Sequence, residues 1–201
     1  MDMTEKQTHE QRMARKKAVI DERIAKATEE RGVLILLKGN GKGKSSSAMG
    51  TMARAVGHGK RAAVIQFIKG RSETGELKFF RDHPQIDWHV MGHGFTWETQ
   101  DRQRDIDAAH QAWEAAKEMI TSREYRLVLC DELNIVLRYD YLDIAEVVDF
   151  LKNEKPDDVH VVITGRNAKD DLVEIADLVT DMTQVKHPFR SGVKAQAGIE
   201  F

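Results

Sequence analysis

The chain is predicted to fold as an α/β protein. A mostly parallel central sheet of about six strands is flanked by helices, and an N-terminal helical arm precedes it. Three observations carry this expectation. From Val33 onward, short unbroken apolar runs alternate with longer stretches of helical period, and strands apolar on both faces belong to sheets covered on both sides. The first run leads into a turn crowded with glycine and lysine, "KGNGKGKSSS" (38–47). The fourth run ends in two acidic residues, Asp131 and Glu132.

Residues 1–31 form the arm. They are rich in Lys, Arg, Glu and Gln and contain no Gly or Pro. Met13, Ile20, Ile24 and Ala27 make a thin helical stripe that buries little. Two readings stay open: a solvated arm, or a helix that folds over a ligand or a partner subunit. Residues 32–201 form the α/β domain. Its strands are "VLILL" (33–37), "AAVIQF" (62–67), "IDWHVM" (86–91), "RLVLC" (126–130), "VHVVIT" (159–164) and a weaker sixth, "LVTDMTQV" (178–185). Helices are expected over about 44–57, 73–81, 101–122, 142–152 and 168–176. In the third of these, Ile106, Ala109, Trp113, Ala116 and Ile120 share one face. Such alternation implies right-handed crossovers between parallel strands. Pro84, Pro156 and Pro188 fall between elements, where proline does least harm.

Bulk properties exclude several classes. The 201 residues suit one domain with a real core, and 41% hydrophobic with 32% charged residues is a globular composition. A net charge of −2 argues against a nucleic-acid binder, so any basic site must be local. Cys130 is the sole cysteine, which rules out an internal disulfide. Apolar runs of about five residues are far too short to cross a membrane as helices. The N-terminus lacks the apolar stretch of a secretory leader. These features predict a cytoplasmic protein with neither nucleic acid nor membrane as partner.

A strand, a glycine-rich turn and a helix opening near Lys44 make the context of a phosphate-binding loop, and the fold is accordingly read as P-loop NTPase-like. Glycines let successive backbone N–H groups turn toward an anion, and the helix N-terminus adds partial positive charge. Lys44 is placed to reach phosphates and Ser45 to hold Mg²⁺. The usual spacing G-x-x-x-x-G-K-[ST] is not met. Lys38 stands where its first glycine belongs, and the loop reads G-x-x-x-G-K-S from Gly39, with an additional lysine, Lys42. Asp131 and Glu132 close a buried strand at the end where α/β ligands bind, and could reach the metal directly or through water. Cys130 is expected to point into the core.

The stretch "GHGFTWET" (92–99) puts Phe95 and Trp97 at alternate positions beside Gly92 and Gly94. They read either as a core pair or as two rings on a glycine-hinged loop presented to a large flat ligand. His89 and His93 are separated by a glycine that breaks any helix, so no metal site is assigned to them. His58 and His187 read as turn residues.

"GNGKGKSSSAMGTMARAVGHGKRAAVIQFIKG", "GFTWETQ", "VLCDEL", "YDYL", "VVITGR" and "VKHPFRSGVKAQAGIEF" together resemble the ATP:corrinoid adenosyltransferases of the cobalamin pathway, from about Gln11 to Phe201. These include the cob(I)yrinic acid a,c-diamide adenosyltransferases. The resemblance implies transfer of the 5′-deoxyadenosyl group of ATP to cobalt, with release of triphosphate, in adenosylcobalamin synthesis or corrinoid salvage. It implies ATP as co-substrate, Mg²⁺ (or Mn²⁺), a homodimer and a flavoprotein reductant. Gly39, Asn40, Gly41, Lys42, Gly43, Lys44, Ser45 and Ser46 match the triphosphate cradle. Arg54 matches a nucleotide-holding position, and Ser45 and Glu132 match the metal ligands, with Asp131 beside them. Phe95 and Trp97 match the pair below the corrin ring, and the arm matches a helix covering the corrinoid. Where the family commonly has two threonines, this chain has Ser45 and Ser46. No role follows for residues 69–85 or for His93. Two other readings remain: a P-loop kinase or ATPase, and a corrinoid or nucleotide carrier without turnover.

Overall fold

The computed structural model describes residues 3–68, 73–91 and 101–200. The chain divides into two compact units, Met1–Glu30 and Arg31–Phe201. The first is helix α1 (Met3–Lys26). Its stripe is exposed, with Ile24 at 65%. Ion pairs Lys17–Asp21 and Glu22–Lys26 bridge successive turns at the surface and add only a few tenths of a kcal/mol each.

The second unit holds an all-parallel sheet of six strands in the order β3-β2-β4-β5-β1-β6. They are β1 (Leu34–Lys38), β2 (Ala62–Gln66), β3 (Ile86–Val90), β4 (Leu127–Asp131), β5 (His160–Thr164) and β6 (Leu178–Asp181). Side chains alternate across a strand, and here both faces are covered. Leu127 and Leu129 of β4 pack with Val64 and Val162 under Ala48, Met49 and Met52 of α2 (Lys44–Gly57). Val128 and Cys130 pack with Ile65 and Val161 on the other side, against Ala109, Ala112, Trp113, Ala116 and Ile120 of α4 (Arg102–Thr121). Thus the face predicted for this helix is the one that is buried. Cys130 is fully buried, and burial pushes its thiol up to about 12, as expected of an inert core cysteine.

Helix starts follow side-chain caps. Thr74 accepts the Leu77 N–H at the start of α3 (Gly75–Phe80), and Asp101 caps α4 through the Arg104 N–H. Asp143 does the same for α6 (Ile144–Asn153) through the Ala145 N–H. The Trp113 indole donates to Glu146 at 3.1 Å and meets Phe150 edge-on at 5.4 Å, which locks α4 to α6. Helix α7 (Asp170–Ile175) precedes the last strand.

Two differences from the sequence-based expectation have local causes. Helix α5 (Leu133–Arg138) lies where no element is predicted. At six residues it is too short to show a period, and its N-cap Glu132 makes no side-chain cap bond. The sixth strand stops at Asp181 rather than near 185. It is an edge strand exposed along its whole length, so it lacks the unbroken apolar run of the buried strands.

Candidate functional site

The carboxyl ends of β1, β4 and β5 meet at the loop between β1 and α2. Gly39 and Gly43 have φ of 102° and 103°, conformations glycine adopts without strain. The loop is held from its flank by the chain leaving β6. The Gly41 N–H donates to the Met182 carbonyl at 2.6 Å, and the Met182 N–H donates to the Lys38 carbonyl at 2.8 Å. A Cβ on Gly39 would lie 2.5 Å from the Met182 carbonyl oxygen, and one on Gly41 would lie 2.6 Å from it. Two of the three glycines are therefore required by this close backbone approach. At Gly43 the requirement is the positive φ, since a Cβ there meets nothing nearer than the Met182 sulfur at 3.5 Å.

Lys44 opens α2, is buried, and donates to the Gly41 carbonyl at 2.7 Å. Its ammonium therefore lies folded into the loop. Burial lowers its pKa below the usual lysine value, against the opposing pull of the Glu132 charge. Ser45 is half-buried and Ser46 exposed in the first helical turn. Lys42 forms an ion pair with Glu200 near the C-terminus. Arg54 is exposed in the last turn of α2. Ten residues of helical rise put it about 15 Å along the axis from Lys44.

The two carboxylates differ sharply. Asp131 is buried; its Oδ1 accepts the Thr164 hydroxyl at 2.7 Å and its Oδ2 faces the Gln66 amide nitrogen at 3.4 Å. Glu132 sits at φ 63° between β4 and α5, with its N–H donating to the Thr164 hydroxyl oxygen at 2.9 Å. Its Oε2 is buried and has no hydrogen-bond partner among the described residues. Burial first, then the neighbouring Asp131 charge, raise its carboxyl from 4.5 to about 7. An orphaned buried carboxylate oxygen is unfavourable unless a cation or donor meets it. The Asn134 Oδ1 is also buried and unpartnered among the described residues, while its amide nitrogen donates to the Gly165 carbonyl at 3.1 Å. A Cβ on Gly165 would meet both Asn134 Cβ at 2.8 Å and Glu132 Oε2 at 3.1 Å. No cluster of three or more His, Cys, Asp or Glu side chains occurs among the described residues. The donor set suits Mg²⁺, which takes one or two carboxylates and shares phosphate oxygens.

A cleft of about 490 Å³ opens beside Gly39 and Asn40, lined further by Lys38, Asn167, Asp181 and Arg190. Sequence reasoning assigned no role to the last four, nor to Gln66, Thr164 or Glu200. Their only signal was position near strand ends or inside the C-terminal segment. Phe95 and Trp97 lie outside the described residues, as does His93. No helix among the described residues is long and apolar enough to cross a membrane.

Comparison with known proteins fits this arrangement. The profile of the family ATP:corrinoid adenosyltransferase BtuR/CobO/CobP matches residues 30–201. The chain is 54% identical to a corrinoid adenosyltransferase of a Sinorhizobium species, over 96% of this chain and 91% of that one. It is 54% identical to the corrinoid adenosyltransferase of Pseudomonas aeruginosa, over 97% and 96%. Against that of Escherichia coli K12 the identity is 46%, over 96% and 97%. Among solved structures, the cytoplasmic domain of EssC superposes with a TM-score of 0.50 at 11% identity, covering 83% of this chain and 34% of that one. That likeness concerns the fold alone. With a family profile spanning the whole α/β unit and relatives this similar, the chain belongs to the ATP:corrinoid adenosyltransferase family.

Proposed function

We infer that the protein transfers the 5′-deoxyadenosyl group of ATP to the Co(I) centre of a corrinoid and releases triphosphate. The observation that carries this is a phosphate loop with Lys42 and Lys44, in a chain at 54% identity to corrinoid adenosyltransferases. The Co(I) electron pair forms the bond to the ribose 5′-carbon. The C5′–O bond breaks, and its electrons leave with the triphosphate. Because the nucleophile carries no proton, no general base is needed, and none is assigned.

The work left to the side chains is positioning and neutralising the leaving charge. Gly39 to Ser46 cradle the phosphates with main-chain N–H groups, and Lys44 exchanges its bond to the Gly41 carbonyl for a phosphate oxygen. Ser45 and Glu132 would hold Mg²⁺ (or Mn²⁺), which neutralises phosphate charge, and Asp131 stands behind Glu132. The cleft beside Asn40 is within the size range of ligand pockets and gives room for the rest of the nucleotide. By the family resemblance, Phe95 and Trp97 would lie beneath the corrin ring, where two apolar rings would exclude an axial donor. The shorter loop with its extra lysine fits the reversed seating of the phosphate chain that the family resemblance implies.

The same reading includes a homodimer, a flavoprotein reductant and a cytoplasmic setting. A second copy is supported by apolar surface on the edge strand and beyond it: Leu178, Val179, Phe189 and Ile199 are exposed. Incubation with ATP, Mg²⁺ and chemically reduced corrinoid tests the central claim. A light-sensitive cobalt–carbon product and inorganic triphosphate are expected. ADP as the product would instead make the protein a kinase or ATPase, and no product would make it a carrier.

A further inference from the structure

Four side chains, one from each of four adjacent strands, form a hydrogen-bonded row across the carboxyl end of the sheet. Trp88 of β3 donates its indole N–H to Gln66 Oε1 of β2 at 3.0 Å. The Gln66 amide nitrogen faces Asp131 Oδ2 of β4 at 3.4 Å. Asp131 Oδ1 accepts the Thr164 hydroxyl of β5 at 2.7 Å, and that hydroxyl oxygen accepts the Glu132 N–H at 2.9 Å. Register explains the alignment. Gln66 is paired with Asp131, and Trp88 with Val64, two residues before Gln66 on the same face. All four belong to the face covered by α2.

The row has a direction. An indole N–H can only donate, so Trp88 holds the amide oxygen of Gln66 on its own side. The amide nitrogen is thereby left facing Asp131, which as a carboxylate can only accept. Turning the amide over would set N–H against N–H at one end and oxygen against carboxylate at the other. Gln66 also holds β3 through its main chain, since its carbonyl accepts the Met91 N–H at 3.1 Å. Both contacts come just before residues 92–100.

We propose that Gln66 and Trp88 are positioning residues for the metal centre. Gln66 and Thr164 engage the two oxygens of Asp131 and keep it from turning toward the cation. Thr164 at the same time fixes the main chain of Glu132, whose Oε2 is thus left to be the direct ligand. Trp88 sets the amide that does this, and so links the centre to the strand that leads into "GHGFTWET". The proposal rests on the Mg²⁺ reading above. Partners behind a metal ligand commonly change metal affinity by about 10- to 100-fold when removed.

The test measures Mn²⁺ binding to the ATP-loaded full chain by electron paramagnetic resonance, alongside unfolding midpoints. Gln66→Met keeps the length and removes the amide, and its Mn²⁺ Kd is expected to rise about tenfold. Trp88→Phe should weaken binding less, about threefold, and the double variant should bind no worse than Gln66→Met, the signature of one connected unit. Independently, the Trp88 indole N–H resonance, identified by its loss in Trp88→Phe, should shift when Mg²⁺ is added to the ATP-loaded protein. In Gln66→Met it should not. Unchanged Mn²⁺ affinity in Gln66→Met, additive effects in the pair, or an indole resonance indifferent to Mg²⁺ overturns the proposal. If Gln66→Met does not fold, Trp88→Phe and the resonance decide. Should the wild-type protein bind no Mn²⁺ with ATP, the metal reading itself fails. Wild-type binding with unaltered variants sinks the positioning role alone.

Discussion

Burial pushes Lys44 and Glu132 toward neutrality from opposite sides: it lowers the pKa of the ammonium and raises that of the carboxyl. Each charge partly offsets the other, and in the proposed reaction a triphosphate would meet the ammonium and a cation the carboxylate. In the proposed reaction, Lys44→Ala would remove a fixed positive charge from the leaving group. Loss of one such contact costs about 2.7–4 kcal/mol, so kcat should fall about 100- to 1000-fold; retention of over half the wild-type kcat at saturating ATP would remove Lys44 from the site. Glu132→Gln should raise the Mg²⁺ needed for half-maximal rate more than Asp131→Asn does, because the oxygens of Asp131 are already engaged. Titrations in the reverse order would exchange the two roles. For the aromatic pair the role we propose is in the reduction step. Co(I) disfavours axial donors, and axial ligation moves metal potentials by tenths of a volt. Phe95→Ala and Trp97→Ala should be slow when given Co(II) and a protein reductant, yet nearly normal with pre-reduced Co(I). Equal losses in both assays would return the pair to the hydrophobic core.

At the level of elements, the loop and the chain leaving β6 form one packed unit. Gly41→Ala would drive a Cβ to 2.6 Å from the Met182 carbonyl oxygen and 2.7 Å from that of Thr183. Backbone cannot yield there without shifting β6. Gly43→Ala meets only strain at φ 103°, about 1–2 kcal/mol. Thermal unfolding should therefore show a larger drop for Gly41→Ala, and a larger drop for Gly43→Ala would contradict this account of the loop. The start of β1 depends on Asp177, which accepts from Arg31 at 2.6 Å and from the Leu34 N–H at 2.8 Å. These bonds, that of Arg31 first, hold its carboxyl below the ordinary value. A carboxyl depressed in the folded state stabilises above its unfolded pKa, and the gain is lost as pH falls through the folded one. Asp177→Asn should cost about 1.5 kcal/mol at neutral pH. Denaturant midpoints should also show a flatter loss below about pH 4. A variant as acid-sensitive as the parent would show that Asp177 carries no such term.

For the molecule as a whole, the arm and the α/β domain are two compact units. Deleting residues 1–25 should leave cooperative unfolding intact, because the core begins with β1 and the arm's stripe is exposed. Corrinoid binding should weaken while ATP binding persists. Calorimetry showing a broad, non-cooperative transition after truncation would make the arm part of the core.

Much was readable from the chain alone, because the signals are local. An apolar run, a glycine turn and a helical period each lie within about 20 contiguous residues, and together they predicted β1, the glycine turn after it and α2 in order. The buried face of α4 was legible in the three-and-four spacing of Ala109, Trp113, Ala116 and Ile120. Two acidic residues after a strand marked Asp131 and Glu132 in the same way. What the sequence could not order was the sheet. Strand order β3-β2-β4-β5-β1-β6 brings Trp88, Gln66, Asp131 and Thr164 side by side, although in the chain they are spread from position 66 to position 164. It also sets Met182 against Gly39 and Gly41. Hydrogen bonds at 3 Å between strands depend on which strands are neighbours and in what register. No local spacing encodes that, so the difference between Asp131, held on both oxygens, and Glu132, left with one oxygen unpartnered among the described residues, emerges only when the sheet is assembled.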